Sequence, residues 1–149
     1  MENDKFFQKV DSDINEDVIL CALQKEYDVF GLLDYNEFNI KERIEKNPFL
    51  TEQFRLLLIK EKSNLMRLQN ITDEYIGTLY DNLKHHNTIS LGKVEIEKYY
   101  LPKDPKVIEL KRLLIKQSIR VDFFEAVFEA FKTQGWLMKQ WLVNNKDAT

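Results

Sequence analysis

The chain has 149 residues, 44% of them apolar and 32% charged, and a net charge of −3. That hydrophobicity excludes wholesale disorder, and the length leaves room for one domain with or without an arm. Four Gly and three Pro cannot supply the turns of an all-β protein, so an all-α, elongated subunit built on long helices is predicted. The single cysteine, Cys21, excludes an intrachain disulfide and a cysteine-based zinc site. The acidic start without an apolar run argues against a signal peptide, and no stretch approaches the length of a transmembrane helix.

The net charge averages over a gradient. Residues 1–37 carry ten acids against three bases (−7), residues 38–83 seven of each, and residues 84–149 eight acids against twelve bases (+4). Residues 1–14 are therefore read as a flexible acidic arm, with Phe6 and Phe7 as its aromatics, ahead of a single helical domain over 15–149. A first helix is predicted over about 15–33, capped by Asn15, with Val18, Cys21, Ala22, Val29 and Leu32 at helical spacing and Cys21 buried on that stripe. A short helical segment over about 35–46 follows. Asn47-Pro48 is then expected to break the chain, because the residue before proline avoids the α region.

A long helix is predicted over about 51–84. Leu58, Leu65, Leu68, Tyr75 and Leu79 form an a/d-like seam that Glu61 and Thr72 interrupt. The segment 88–101 alternates at Val94, Ile96 and Tyr100, which suggests a short strand or an extended connector. Asp104 followed by Pro105 is a good helix start, a cap and then a residue whose missing N–H does no harm. The last helix is placed at about 105–143. Its positions 107, 110, 114, 117, 121, 124, 128, 131, 135, 138 and 142 are almost all large and apolar. A second stripe runs through Ile108, Ile115, Ile119, Val127, Leu137 and Trp141. One neighbouring helix cannot cover both stripes, and a subunit interface is the simplest use for the surplus.

No phosphate-binding glycine loop, nucleophile elbow, zinc-protease or calcium-loop motif occurs. His85 and His86 are adjacent and diverge on a helix, so they do not form a metal pair. The acidic pairs Asp11/Asp13 and Glu95/Glu97 lack a partner base. The protein is therefore read as a non-enzyme without cofactor or metal. The bases are more informative. Lys60 and Arg67, seven apart, share a helix face. Lys62 and Lys84 sit on the same long helix, and Arg112, Lys116 and Arg120 follow i,i+4 spacing as a basic ridge on the last one. Such a ridge is either a solvated face or a phosphate-contact surface. Tyr75, Tyr80, Tyr99 and Tyr100 could stack bases, although helical tyrosines are more often core or interface.

Asp104-Pro105-Lys106-Val107, the aliphatic–aromatic helix after it, and Ala130-Phe131-Lys132-Thr133-Gln134-Gly135-Trp136-Leu137-Met138-Lys139 resemble the end of the UvsY family, the recombination mediators of T-even and related phages. Leu65-Met66-Arg67-Leu68 and Asp73-Glu74-Tyr75-Ile76-Gly77 are similar to that family's basic–aromatic middle stretch. Together the resemblance covers about residues 46–143. It implies an all-α, ring-like homo-oligomer, hexameric or heptameric, assembled through its C-terminal helix in the host-cell cytoplasm. It also implies binding of single-stranded DNA, with the phage recombinase and the phage single-strand-binding protein as partners and no membrane. Of the family's DNA-contacting bases, only Arg67 stands at a matching place; Gln69, Asn70 and Thr78 stand where others are expected.

The candidate DNA-binding residues are thus Lys60, Lys62, Arg67, Lys84, Arg112, Lys116 and Arg120. The candidate oligomerisation residues are Leu110, Leu114, Val121, Phe124, Phe128, Phe131 and Met138. The alternatives are a viral structural or adaptor oligomer without DNA affinity, and a monomeric helical bundle.

Overall fold

The structure is a computed structural model that describes residues 14–86 and 90–146. Apart from Ile14, the predicted acidic arm lies outside the described residues, as does Asn87. The elements are α1 (Glu16–Glu26), α2 (Val29–Leu33), α3 (Ile40–His85), α4 (Lys93–Glu95), a π-turn (Ile96–Tyr100), a 3-10 turn (Leu101–Lys103) and α5 (Pro105–Asn144). No strand occurs among the described residues, so the fold is all-α. None of the described helices is long and apolar enough to cross a membrane.

The predicted first helix is two helices. Asp28 adopts the left-handed conformation with φ of 49° between them, one of the few non-glycine residue types that tolerate it. Gly31 lies close beside it, and a Cβ there would stand 2.6 Å from the Asp28 carboxylate, which would have to turn away. Leu23 takes the buried position on α1, and Cys21 is exposed rather than buried.

Of the predicted short helix over about 35–46, residues 35–39 form a turn and residues 40–46 are the first turns of α3. Asn36 Oδ1 accepts from the N–H groups of Phe38 and Asn39 at 2.8 and 3.2 Å, and Asn39 Oδ1 accepts from Asn36 N–H at 2.7 Å. These side chains satisfy the donors ahead of α3.

The expected break at Asn47-Pro48 does not occur: α3 runs through it. Proline there removes one donor and crowds the preceding turn. The compensation is tertiary. Asn47 Nδ2 donates to the Phe131 carbonyl at 2.8 Å and to Gln134 Oε1 at 3.1 Å, anchoring that turn to α5. Residues 93–103 are helical turns, not a strand or extended connector. Of the alternating residues only Ile96 is buried, while Val94 and Tyr100 are exposed. Three apolar residues at short spacing did not define a sheet face. The start of α5 is as predicted, with Asp104 Oδ1 accepting from the Lys106 and Val107 N–H groups at 3.0 Å each.

The described residues cluster into two compact units. One comprises 14–16 with 63–119, the other 17–62 with 120–146, and α3 and α5 each contribute a half to both. The 17–62/120–146 unit has an aromatic core. Phe54 stacks on Phe131 at 5.0 Å between ring centroids, and Tyr27 and Phe123 meet Phe124 edge-on at 5.1 and 5.2 Å. Gln134, also buried, closes the polar gap: its Nε2 donates to the carbonyls of Leu32 and Leu33 at 3.1 and 2.8 Å. Gly135 is small for a reason here, because a Cβ would come within 2.5 Å of Asn47 Oδ1. The 63–119 unit has a slighter, aliphatic core of Leu91, Ile96, Val107 and Leu110, with Thr72 buried and its hydroxyl donating to the Leu68 carbonyl at 2.7 Å.

Candidate nucleic-acid interface

The candidate bases separate into two sorts. Lys60, Arg67, Lys84 and Lys116 are exposed and form no ion pair among the described residues. Lys62 is exposed, but its Nζ lies 3.9 Å from Glu125. Arg112 is half-buried. Arg120 is committed elsewhere: its Nη2 donates to buried Glu61 Oε1 at 3.1 Å, and its guanidinium lies 5.9 Å from the Phe124 ring. The hydrogen bond to Glu61 holds the Arg120 pKa above its usual value, against partial desolvation. Arg120 is therefore a structural cation and leaves the basic ridge, which keeps Arg112 and Lys116 in the 63–119 unit. Helical spacing assigned the three to one face, but not the carboxylate that Glu61 presents from 59 residues upstream.

The candidate oligomerisation stripe is mostly buried within the chain. Phe124, Phe131 and Met138 are 0% exposed, Leu110 and Val121 are buried, and Leu114 and Phe128 are half-buried. Phe124, Phe131, Met138, Leu110 and Val121 belong to the chain's own core, and only Leu114 and Phe128 of the stripe stay partly exposed. The exposed apolar side chains of α5 are Leu113, Trp136, Leu137 and Val143.

The 63–119 unit also contains a cleft of about 640 Å³. It is lined by Leu79 and Leu83 of α3 and by Tyr99 and Tyr100 of the π-turn, with Glu95, Lys103 and Asp104 as its charged groups. Tyr99 is 51% exposed and Tyr100 44%. Lys98 Nζ stands 5.5 Å from the Tyr99 ring centroid. Nearby in sequence, Lys84 stands 5.7 Å from the Tyr80 ring and Lys106 4.5 Å from that of Tyr75. The Tyr75 hydroxyl donates to Asp104 Oδ1 at 3.1 Å; burial, and then this carboxylate, hold the phenol above its ordinary pKa. A smaller cavity of about 280 Å³ includes Asp73 and Lys111, whose ammonium is pushed down by burial.

Sequence reasoning missed the cleft because it treated 88–101 as extended and so could not bring the tyrosines beside Leu79 and Leu83. The available signal was the Tyr99-Tyr100 pair with Lys98 and Lys103 close by. Among the described residues no group of three His, Cys, Asp or Glu side chains could hold a metal. His85 and His86 are exposed at the end of α3. No family model, curated protein or solved structure matches the chain at a significant level.

Proposed function

We propose that the chain is a recombination mediator of the UvsY type. In this reading it binds single-stranded DNA and helps load the phage recombinase onto DNA covered by the single-strand-binding protein. The support from sequence is the resemblance over about residues 46–143. The observation that carries the DNA-binding part is the set of cations left without carboxylate partners in the 63–119 unit. Arg67, Lys84 and Lys116 are exposed and form no ion pair among the described residues, and residues 84–119 carry eight bases against four acids. In the other unit, Lys46, Arg55, Lys62, Arg120 and Lys132 each meet a Glu, while Lys60 is exposed and meets none among the described residues. Phosphate contacts release counterions, so binding through such cations weakens steeply with salt.

Titration of a labelled oligonucleotide by fluorescence polarisation tests this. The expected result is tight binding at low salt that fades with added salt. Arg67→Ala combined with Lys116→Ala should lower the salt slope by about two, one per lost phosphate contact. Absence of binding at low salt would overturn the reading in favour of an adaptor oligomer. Self-association belongs to the same proposal, and its surface is relocated to exposed apolar positions. Trp136 (61% exposed) and Val143 share a face of α5, being seven residues apart. A native particle of about the 17.9 kDa chain mass would overturn the ring.

A further inference from the structure

We infer that the Tyr99–Tyr100 cleft is a base-stacking site for single-stranded nucleic acid, a site distinct from the exposed bases Arg67 and Lys116. The inference rests on the DNA-binding reading above and assigns it a place and a chemistry. Two adjacent aromatic side chains, each about half exposed, stand beside a unit core made of aliphatic side chains. The π-turn sets them there. Ile96, its first residue, is fully buried and anchors the turn, while Tyr99 and Tyr100 at its end stay out of the core.

The cleft of about 640 Å³ is the size of a small-molecule site, and its lining combines apolar Leu79 and Leu83 with the two rings. Apolar walls and aromatic faces suit a flat, poorly hydrated base. Cations bordering the rings suit the phosphates that join such bases, the combination that marks single-strand binding. Lys98 lies against the Tyr99 ring and Lys103 lines the cleft.

The acids do not reverse the sign. Residues 84–106 hold five lysines against Glu95, Glu97 and Asp104. Of these, Asp104 is already engaged through Oδ1 by the Tyr75 hydroxyl and two α5 backbone N–H groups.

The test compares full-length protein with a Tyr99→Ala/Tyr100→Ala double variant and a Tyr99→Phe/Tyr100→Phe control. Each is titrated with oligo-dT and with an abasic oligodeoxynucleotide of the same length, over a salt series. Wild type should favour oligo-dT over the abasic strand. The alanine variant should lose at least about 5-fold in oligo-dT affinity, since each base–aromatic stack is worth roughly 5- to 150-fold, and should lose that preference. Its salt slope should not move, because no charge is removed. The phenylalanine variant keeps the rings and should bind as wild type. Circular dichroism melting shows whether the alanine variant is folded; if it is not, the wild-type comparison of the two strands decides alone. Equal wild-type affinity for the two strands, or wild-type oligo-dT affinity in a folded alanine variant, overturns the stacking site. Either result with salt-sensitive wild-type binding leaves the mediator reading standing. No wild-type binding at all overturns both.

Discussion

In the unit of residues 17–62 and 120–146, aromatic rings face one another. Phe54, Phe123, Phe124 and Phe131 are all buried, and Tyr27 packs edge-on against Phe124. In the unit of residues 63–119, Tyr99 and Tyr100 are exposed and the core is aliphatic. The cations differ in the same way. Ion pairs with Glu61, Glu125 and Glu129 occupy Arg120, Lys62 and Lys132 in the first unit, whereas Arg67, Lys84 and Lys116 in the second form none among the described residues. The first unit commits these buried rings and paired cations to its own stability, although Phe30, Phe38, Phe49, Trp136 and Lys60 stay exposed on it, and the second leaves Tyr99, Tyr100 and these three cations exposed. Four perturbations sharpen this contrast, each with a different expected size.

The largest effect is expected in the aromatic core. Phe131→Ala removes a fully buried ring stacked on Phe54 and should cost about 3–5 kcal/mol, read as a loss of denaturant midpoint. If the first unit is the stabilising one, Tyr99→Ala in the second should leave that midpoint within about 0.5 kcal/mol of wild type, as surface substitutions do. Equal losses for the two variants would erase the distinction.

The second effect concerns a buried charge. Glu61→Gln leaves Arg120 without its carboxylate. Breaking a fully buried pair costs about 3–5 kcal/mol, but Arg120 is about a third exposed, its side chain being 32% accessible. Water screens it, so about 1–3 kcal/mol is expected. DNA affinity should be unchanged. If Arg120→Gln cost DNA affinity without a change in stability, the assignment of Arg120 as a structural cation would fall.

These residues also show what the sequence made legible. The a/d seam of α3 was readable, interruptions included. Leu58, Glu61 and Thr72 are buried on it, and each polar interruption has a partner, Arg120 for one and the Leu68 carbonyl for the other. The Asp104-Pro105 start was readable because cap and proline act within three residues. What failed needed partners distant in sequence. Pro48 stays helical because Asn47 reaches Phe131 and Gln134, more than 80 residues away. The apolar stripe of α5 could not reveal whether its cover was the same chain or another copy. Even the stretch Phe131 to Met138, which carries the family resemblance, is in large part packing: Phe131, Gln134 and Met138 are buried and Gly135 makes a close approach.

A third effect is expected at the α5 start. Asp104→Ala removes a cap that accepts from two backbone N–H groups and should cost about 1 kcal/mol. The Tyr75 hydroxyl loses its acceptor as well. Because the Tyr75 phenol is held above its ordinary value, the folded state binds that proton more tightly than the unfolded state. Its contribution is present below the usual tyrosine value of about 10 and lost as pH rises past it. Tyr75→Phe should therefore flatten the decline of stability above about pH 10. An unchanged alkaline limb would show that the contact with Asp104 is not maintained in solution.

The smallest effect is the one that best separates stability from binding. Gly77 lies inside α3, and a Cβ added there meets nothing within 4 Å. No packing requirement explains it, and glycine in a helix interior costs about 0.5–1 kcal/mol relative to alanine. Gly77→Ala should thus raise the melting temperature by a few degrees, about what 0.5–1 kcal/mol produces in a chain of this size. Glycine also permits close approach of a ligand to the backbone, and Gly77 sits in the middle stretch similar to the family's basic–aromatic segment. The expected outcome is a split, higher stability with weaker oligonucleotide binding. Higher stability with unchanged affinity would instead move the DNA surface away from this turn of α3, toward the π-turn and the start of α5.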